Sequence, residues 1–377
     1  MKSSNNLANN KKILIFHPAL APYRVDFFNE INTAFDSSFY FNLLNVKDQK
    51  FNQEELIEKC NFNLNYLSNG FEFFGRSFRF GIIKILRKEK PDIVLCSEYG
   101  QVTIVVFLYK ILFRKQFSFY TISDDSIENS KSRQGLRSLL RNLISKNCDG
   151  VIFPSKEVCN WYRSNVSKTT KTLELPIIHN DKVFRSELLE SLDIANENII
   201  NFNLEGKKVI LFVGRLVEVK NLAFLVKVVA QIKTTDWVLV IVGDGELMND
   251  LKEQAKKLNI FNNVLFVGRK EGKELVSWYT LSQIFVLPSI YEPFGAVVNE
   301  ALLGGCKVLC SEIAGASSLI DADNGRLFSP YSEKELISLL EDSFEEIGYT
   351  PNFIHGIRES KMPFTFKEKI EVLIKNL

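Results

Sequence analysis

PSIYEPFGAVVNEALLGG, residues 288–305, is the stretch on which the reading of this chain turns. It follows a short apolar run, Ile284 to Leu287, turns through Ser289 and Ile290, and passes into a helical pattern near Gly295. Glu292 stands just before that helix and Glu300 about a turn and a half inside it. A helix that opens directly after a strand aims unpaired backbone N–H groups, and the positive end of its dipole, at whatever lies above the sheet. A diphosphate suits that position. Two carboxylates flanking the same terminus need other partners. The hydroxyls of a ribose and of a hexose fit, because a carboxylate accepts strongly from O–H donors. The bland alternative is an amphipathic helix with a capping carboxylate and a surface glutamate.

The run Glu292-Pro293-Phe294-Gly295 followed by Glu300 resembles the Glu-x7-Glu motif of the retaining glycosyltransferases of family 4 (glycosyl transferases group 1), which have the GT-B fold. In that family the first Glu meets the donor sugar and the second the nucleotide ribose. The resemblance therefore implies that Glu292 meets sugar hydroxyls, that Glu300 meets the ribose, and that Phe294, Gly295, Ala296 and Val297 lie against the nucleotide sugar.

The neighbouring segments agree in order and spacing. KVILFVGRL, from Lys208, reads as a strand with Gly214, Arg215 and Leu216 at its end, and Lys220 and Asn221 open the next helix. Arg grips two oxygens at once and Lys adds a compact charge, so the pair suits a diphosphate leaving group. In the family the matching Arg and Lys do that work. WVLVIVGDGELMNDLKEQAKKL repeats the strand, glycine turn and helix, and Gly243 and Gly245 let backbone approach a ligand closely. This is no GxGxxG fingerprint, and no carboxylate is placed for NAD. The resemblance further implies that backbone around Arg269 and Lys270 lies by the base and that Gly315 and Ala316 lie near the donor. The family often has a glutamate where this chain has Ser318.

At 377 residues the chain is long enough for two domains. Hydrophobic residues make up 46% and charged residues 24%, a globular balance rather than a disordered or fibrous one. The longest apolar run, Val102 to Tyr109, is far short of a membrane span. The polar start, MKSSNNLANNKK, reads as a frayed tail and not as a signal peptide. Six cysteines show no CxxC pair and no metal spacing with the three histidines, so buried free thiols in a reducing cytosol are expected. The net charge of +2 divides into roughly +5 over residues 1–200 and roughly −3 over the rest, which directs the search for anionic partners to the first half.

That first half alternates apolar strands with helical patterns: Lys12 to Phe16, Phe39 to Leu44, Asp92 to Cys96, Phe117 to Ile122 and Gly150 to Phe153. Alternation implies a parallel sheet covered on both faces. Ligands of such sheets sit past the carboxyl ends of strands, which singles out His17, Glu98, the Ser123-Asp124-Asp125-Ser126 segment and Ser155. Asp124 is the candidate there, either binding an acceptor hydroxyl or assisting as a base, with a helix N-cap as the alternative. Arg24 is either an anion contact or a surface charge, and His17 either a strand-end histidine or a catalytic group. Family 4 often uses glycines after the first strand, and this chain has none there.

Residues 129–146 place Leu136, Leu139, Leu140 and Leu143 on one helical face beside a stripe of Arg133, Arg137 and Arg141. Such a helix either lies on an anionic membrane or packs its apolar face into the core. Residues 176–207 lose the strand and helix rhythm, which puts a domain boundary near 200.

The expectation is thus an α/β protein of GT-B fold, with two Rossmann-like doubly wound domains facing a cleft. Residues 1–200 hold the acceptor, 201–361 hold the nucleotide sugar, and the C-terminal helix 362–377 packs back on the first domain. Arg215, Lys220, Glu292 and Asp124 form the catalytic set; Gly214, Gly243, Arg269, Phe294, Gly295, Ala296, Val297 and Glu300 hold the nucleotide sugar. The expected reaction moves a hexose with retention from that donor to a glycan or lipid-linked acceptor in cell-surface polysaccharide biosynthesis. No cofactor, no metal and no nucleic acid partner are expected; Asp321-Ala322-Asp323 is read as a turn. The expected location is the cytoplasm, with peripheral contact at the inner face of the membrane through the basic first domain. Two other readings stay open: a GT-B nucleotide-sugar epimerase or hydrolase, and a non-catalytic GT-B scaffold subunit.

Overall fold

Apolar runs such as KILIFH and IFVL become strands whose residues are buried on both sides, as parallel sheets covered by helices require. The computed structural model describes residues 11–45, 51–73, 76–132, 135–347 and 356–377. The expected N-terminal tail up to residue 10, and Arg133 of the arginine stripe, lie outside the described residues. The chain divides into two units, residues 1–177 with 366–377, and residues 178–365.

In the first unit the strands are β1 (Lys12–His17), β2 (Asp36–Phe41), β3 (Leu64–Tyr66), β4 (Gly70–Phe73), β5 (Arg76–Arg79), β6 (Ile93–Ser97), β7 (Ser118–Ile122), β8 (Gly150–Phe153) and β9 (Thr172–Glu174). Seven of them form a parallel sheet in the order β3-β2-β1-β6-β7-β8-β9, while β4 and β5 make a separate antiparallel pair. Strand β2 lies three residues earlier than the apolar pattern suggested. Its register against β1 runs from Lys12 opposite Asp36 to His17 opposite Phe41, so the sheet fixes where it starts.

In the second unit β10 (Lys208–Val213), β11 (Trp237–Val242), β12 (Val264–Gly268), β13 (Ile284–Leu287), β14 (Lys307–Ser311) and β15 (Gly325–Phe328) form a parallel sheet in the order β12-β11-β10-β13-β14-β15. Helices Leu222–Val229, Met248–Lys257 and Glu333–Glu346 cover one face, burying Leu225, Val229, Leu251, Leu336 and Leu340 against Ile210, Leu239 and Val286.

The boundary at Ile177 and Ile178 corrects the expected one near 200. The polar run after Asp193 is not a linker but part of a helix, Leu192–Asn201, preceded by another, Asp181–Glu190. Both pack on the helix Gly272–Leu281 of the second unit. Ser191 Oγ lies 3.0 Å from Thr280 Oγ1, Asn198 donates to Ser277 Oγ at 3.1 Å, and Phe202 meets Trp278 at a centroid distance of 5.6 Å.

The last helix, Phe366–Asn376, belongs to the first unit. Phe366, Ile370, Leu373 and Leu377 are buried. Tyr120 Oη and Lys171 Nζ donate to the Asn376 carbonyl at 3.3 and 2.8 Å, and Lys369 pairs with Glu174 at 3.1 Å. All six cysteines are free. Burial pushes the Cys60 and Cys159 thiols up to about 11 and Cys148 to about 12, so they stay protonated and unreactive at neutral pH.

Candidate active site

Strand order in the second sheet reverses between β10 and β13, and the carboxyl ends of those two strands flank the natural crevice of such a fold. Gly214 and Arg215 follow β10; residues 288–296 follow β13. Gly243, after β11, backs onto the first of these loops. A Cβ there would sit 1.8 Å from the Gly214 carbonyl oxygen, so only glycine lets the turn close under Arg215. The Ile290 N–H donates to Val219 O at 3.0 Å, tying the loop after β13 to the segment that carries Lys220. From the other side Gly315 and Ala316 donate to the carbonyls of Glu292 and Phe294 at 3.1 and 2.6 Å. Gly315 also has no room for a Cβ, which would fall 2.1 Å from the Pro293 carbonyl. Phe294 is buried beneath this turn, and Gly295, with φ +97°, sends the chain into the helix Val297–Leu303.

Within this frame Lys220 and Glu292 form an ion pair, their side chains 14% and 11% exposed. The motif pattern assigns the two side chains to separate ligands, diphosphate and sugar, whereas the fold pairs them with each other. Arg215 is exposed and has no ion pair or hydrogen-bond partner among the described residues. No side chain caps the helix Val297–Leu303, so the N–H groups around Ala296 and Val297 are not claimed by a cap. Glu300 falls in the first turn of that helix, earlier than expected because the helix begins at Val297 and not at Gly295.

Glu300 is held from two sides. Tyr279 Oη donates to Oε2 at 2.6 Å, and His179 Nε2 lies 3.2 Å from Oε1. His179 was missed in the sequence. Its contact spans 121 residues, and neither periodicity nor a motif marks it. Arg269 sits after the edge strand β12, exposed, its Nε 3.0 Å from Glu271 Oε1. Two strand spacings, roughly 10 Å, separate its strand from β10. Asp321 is a turn residue: its Oδ1 accepts from the N–H groups of Asp323 and Asn324 at 2.9 and 3.1 Å. Ser318 donates to Gly315 O at 3.1 Å, bracing the Gly315 turn.

In the first unit the order reverses between β1 and β6. His17 ends β1, Glu98 follows β6 with φ +59°, and Asp124 follows β7. The Asp124 N–H donates to Glu98 Oε1 at 3.0 Å. Arg24 is 1% exposed and pairs with Asp124, whose side chain is 35% exposed. Arg24 is therefore not a surface charge. It is a buried counter-ion that aims Asp124.

His17 is buried between Phe28 and Phe41 and sits 2.8 Å from Ala19 O through Nδ1. Burial, reinforced by the Arg24 charge, lowers its pKa to about 4. The folded state thus holds His17 neutral, while the unfolded chain takes up a proton near 6.5. Stability from this group is full above about pH 6.5 and is lost as pH falls towards 4, by about 3 kcal/mol in total. Urea unfolding at pH 7 and pH 4.5 is expected to show the loss in the wild type and a clearly smaller loss in His17→Asn. Equal losses in the two proteins would refute the assignment.

The helix Leu136–Asn147 corrects another expectation. Arg141 is buried, donating to Ser130 O at 2.9 Å, while Leu139 and Leu143 are exposed. Among the described side chains the inward face carries Arg141, Ile144 and Ser145, so Arg141 does not share an exposed stripe and Leu139 and Leu143 do not face the core.

Two doubly wound α/β units built on parallel sheets, the second with charged loops at its switch point, define a protein of GT-B fold. The sequence pattern of glycosyl transferases group 1 matches residues 194–349 of this chain. An uncharacterized glycosyltransferase of Methanocaldococcus jannaschii is 33% identical over 135 residues, 34% of this chain and 35% of that protein. The N-acetylgalactosamine-N,N'-diacetylbacillosaminyl-diphospho-undecaprenol 4-alpha-N-acetylgalactosaminyltransferase of Campylobacter jejuni is 33% identical over 209 residues, 50% of this chain and 56% of that one. These matches thus span about a third to a half of each curated relative. Among solved structures, Anabaena HepE in complex with UDP superposes with a TM-score of 0.70 at 14% identity, over 97% of this chain and 94% of that one. At that identity the likeness is one of fold. No described helix is long and apolar enough to cross a membrane.

Proposed function

We propose that this chain is a retaining glycosyltransferase of family 4 that moves a sugar from a nucleotide-sugar donor to a glycan or lipid-linked acceptor in cell-surface polysaccharide biosynthesis. The observation that carries the reading is the gathering of Arg215, Lys220, Glu292 and the uncapped helix Val297–Leu303 around the β10–β13 switch point. Arg215 and Lys220 stabilise charge on the departing diphosphate, as fixed positive groups do best when they need not reorganise. A diphosphate that draws Lys220 away frees Glu292 for the hydroxyls of the sugar. Glu300 binds the ribose, and the backbone from Gly214, Gly243 and Arg269 borders the nucleotide.

The bond from the sugar C1 to the donor phosphate oxygen breaks as the acceptor oxygen bonds C1 on the same face. The acceptor proton passes to the phosphate. The positive charge comes from side chains and backbone, and the reading assigns no metal and no cofactor. Asp124, aimed by Arg24, orients an acceptor hydroxyl in the first unit. The Campylobacter relative's diphospho-undecaprenol-linked substrate supports a lipid-linked acceptor, and the UDP bound to HepE supports a nucleotide donor. Exposed Phe71, Phe80, Leu112 and Phe113, with Arg87 over the Phe113 ring, are the residues to which this reading assigns the peripheral membrane contact.

A thermal-shift panel of UDP-, GDP-, ADP- and CMP-sugars tests the donor site. Ligand at about 100 times its Kd adds about 2.7 kcal/mol to the folded state. One nucleotide class is expected to raise the midpoint, and Glu300→Ala to reduce the shift. Absence of any shift in folded wild-type protein would favour a scaffold role, and donor turnover without acceptor would favour an epimerase or hydrolase.

A further inference from the structure

The Glu300 carboxylate is embedded in a closed set of contacts within the second unit. Tyr279 is fully buried, and burial together with the Glu300 charge holds its phenol well above the ordinary value of 10, so its hydroxyl remains a donor. His179 approaches the other oxygen, and this contact needs a proton on Nε2, since a carboxylate can only accept. The His179 backbone N–H donates to Asn299 Oδ1 at 2.8 Å, one residue before Glu300. Its ring stacks on Phe184 at 5.3 Å and 30°, and Phe184 in turn meets Tyr279 edge-on at 6.4 Å. Histidine, phenylalanine, tyrosine and glutamate thus brace one another from three helices and the segment that opens the unit.

We propose that His179 is a positioning residue for nucleotide recognition. With Tyr279 it clamps the Glu300 carboxylate in one rotamer, and the site's preference for ribonucleoside over deoxyribonucleoside diphosphates depends on that clamp. The proposal rests on the reading of Glu300 as the ribose ligand. Each carboxylate oxygen has two acceptor sites, and one donor on each leaves capacity for a ribose hydroxyl. A carboxylate already fixed loses little freedom when the ligand arrives, which is where preorganised sites gain affinity.

Calorimetric titration of UDP, GDP and ADP into the whole protein selects the best-binding diphosphate, which is then compared with its 2′-deoxy and 3′-deoxy forms. Wild type is expected to prefer the ribose form by about tenfold or more, and Glu300→Ala to bind all three forms within about threefold of one another. His179→Phe keeps the stack on Phe184 but loses the donor, and its preference is expected to collapse as in Glu300→Ala. His179→Gln restores an N–H and with it most of the preference. Tyr279→Phe removes only the second donor and is expected to weaken the preference, which keeps the clamp testable if His179→Phe does not fold. A merely structural His179 would lower the melting temperature without changing the ribose-to-deoxyribose ratio. Wild-type preference in both His179→Phe and Tyr279→Phe, with the preference lost in Glu300→Ala, would overturn the clamp and leave the Glu300 reading intact. Wild-type preference in Glu300→Ala would overturn the Glu300 reading itself.

Discussion

Arg215→Ala is expected to cut sugar transfer by about 100- to 1000-fold, the range seen when one preorganised stabiliser of developing negative charge is removed. The same substitution should leave the melting temperature unchanged. Arg215 is exposed and makes no ion pair or hydrogen bond among the described residues, so little folding energy is lost with it. Lys220→Ala should differ. It leaves Glu292, only 11% exposed, without its cation, so that variant is expected to lose stability as well as turnover. Measuring kcat, KM and unfolding on both variants separates leaving-group stabilisation from structural support. Wild-type turnover in Arg215→Ala would end the proposed role.

The second large effect lies in the first unit. Asp124→Ala is expected to destabilise it by about 2–4 kcal/mol, because Arg24 would be left buried with no counter-charge. Partial exposure of Asp124 keeps the figure below that of a fully buried pair. The double variant Arg24→Met with Asp124→Leu should recover most of that loss, since an apolar pair of similar volume often replaces a buried ion pair at no cost. Transfer activity should stay low in both proteins if Asp124 orients the acceptor. Urea unfolding and a transfer assay on the three proteins decide the matter. An Asp124→Ala protein as stable as wild type would show that Arg24 does not depend on Asp124.

How far the sequence carried the argument follows from how local each signal is. Strands such as Val209 to Val213 and Trp237 to Val242 are continuous apolar runs ending at glycine, and a parallel sheet demands that composition. The residues at their carboxyl ends, Arg215 and Glu292 among them, were legible for the same reason. Side-chain partners were not. The Lys220–Glu292 pair joins positions 72 residues apart, and the Arg24–Asp124 pair positions 100 apart. Arg141 misled because an arginine normally faces water, yet Ser130 O and the Tyr162 ring receive it inside. The domain boundary misled because Asn196, Asn198 and Asn201 make a helix look like a linker. Tertiary contacts with the helix Gly272–Leu281 outweigh their poor helix propensity.

The last helix has a consequence for how the chain is made. The first unit is finished only by residues 366–377, whereas the second is one uninterrupted segment. A ribosome adds about 5–20 residues per second, so the second unit is synthesised whole while the first waits roughly ten to forty seconds for its closing helix. Until then the surface that Phe366, Ile370 and Leu373 will cover stays open to water. The unit synthesised before the other is thus the one that matures after it, and in the nascent chain that uncovered face is where a chaperone would find its grip.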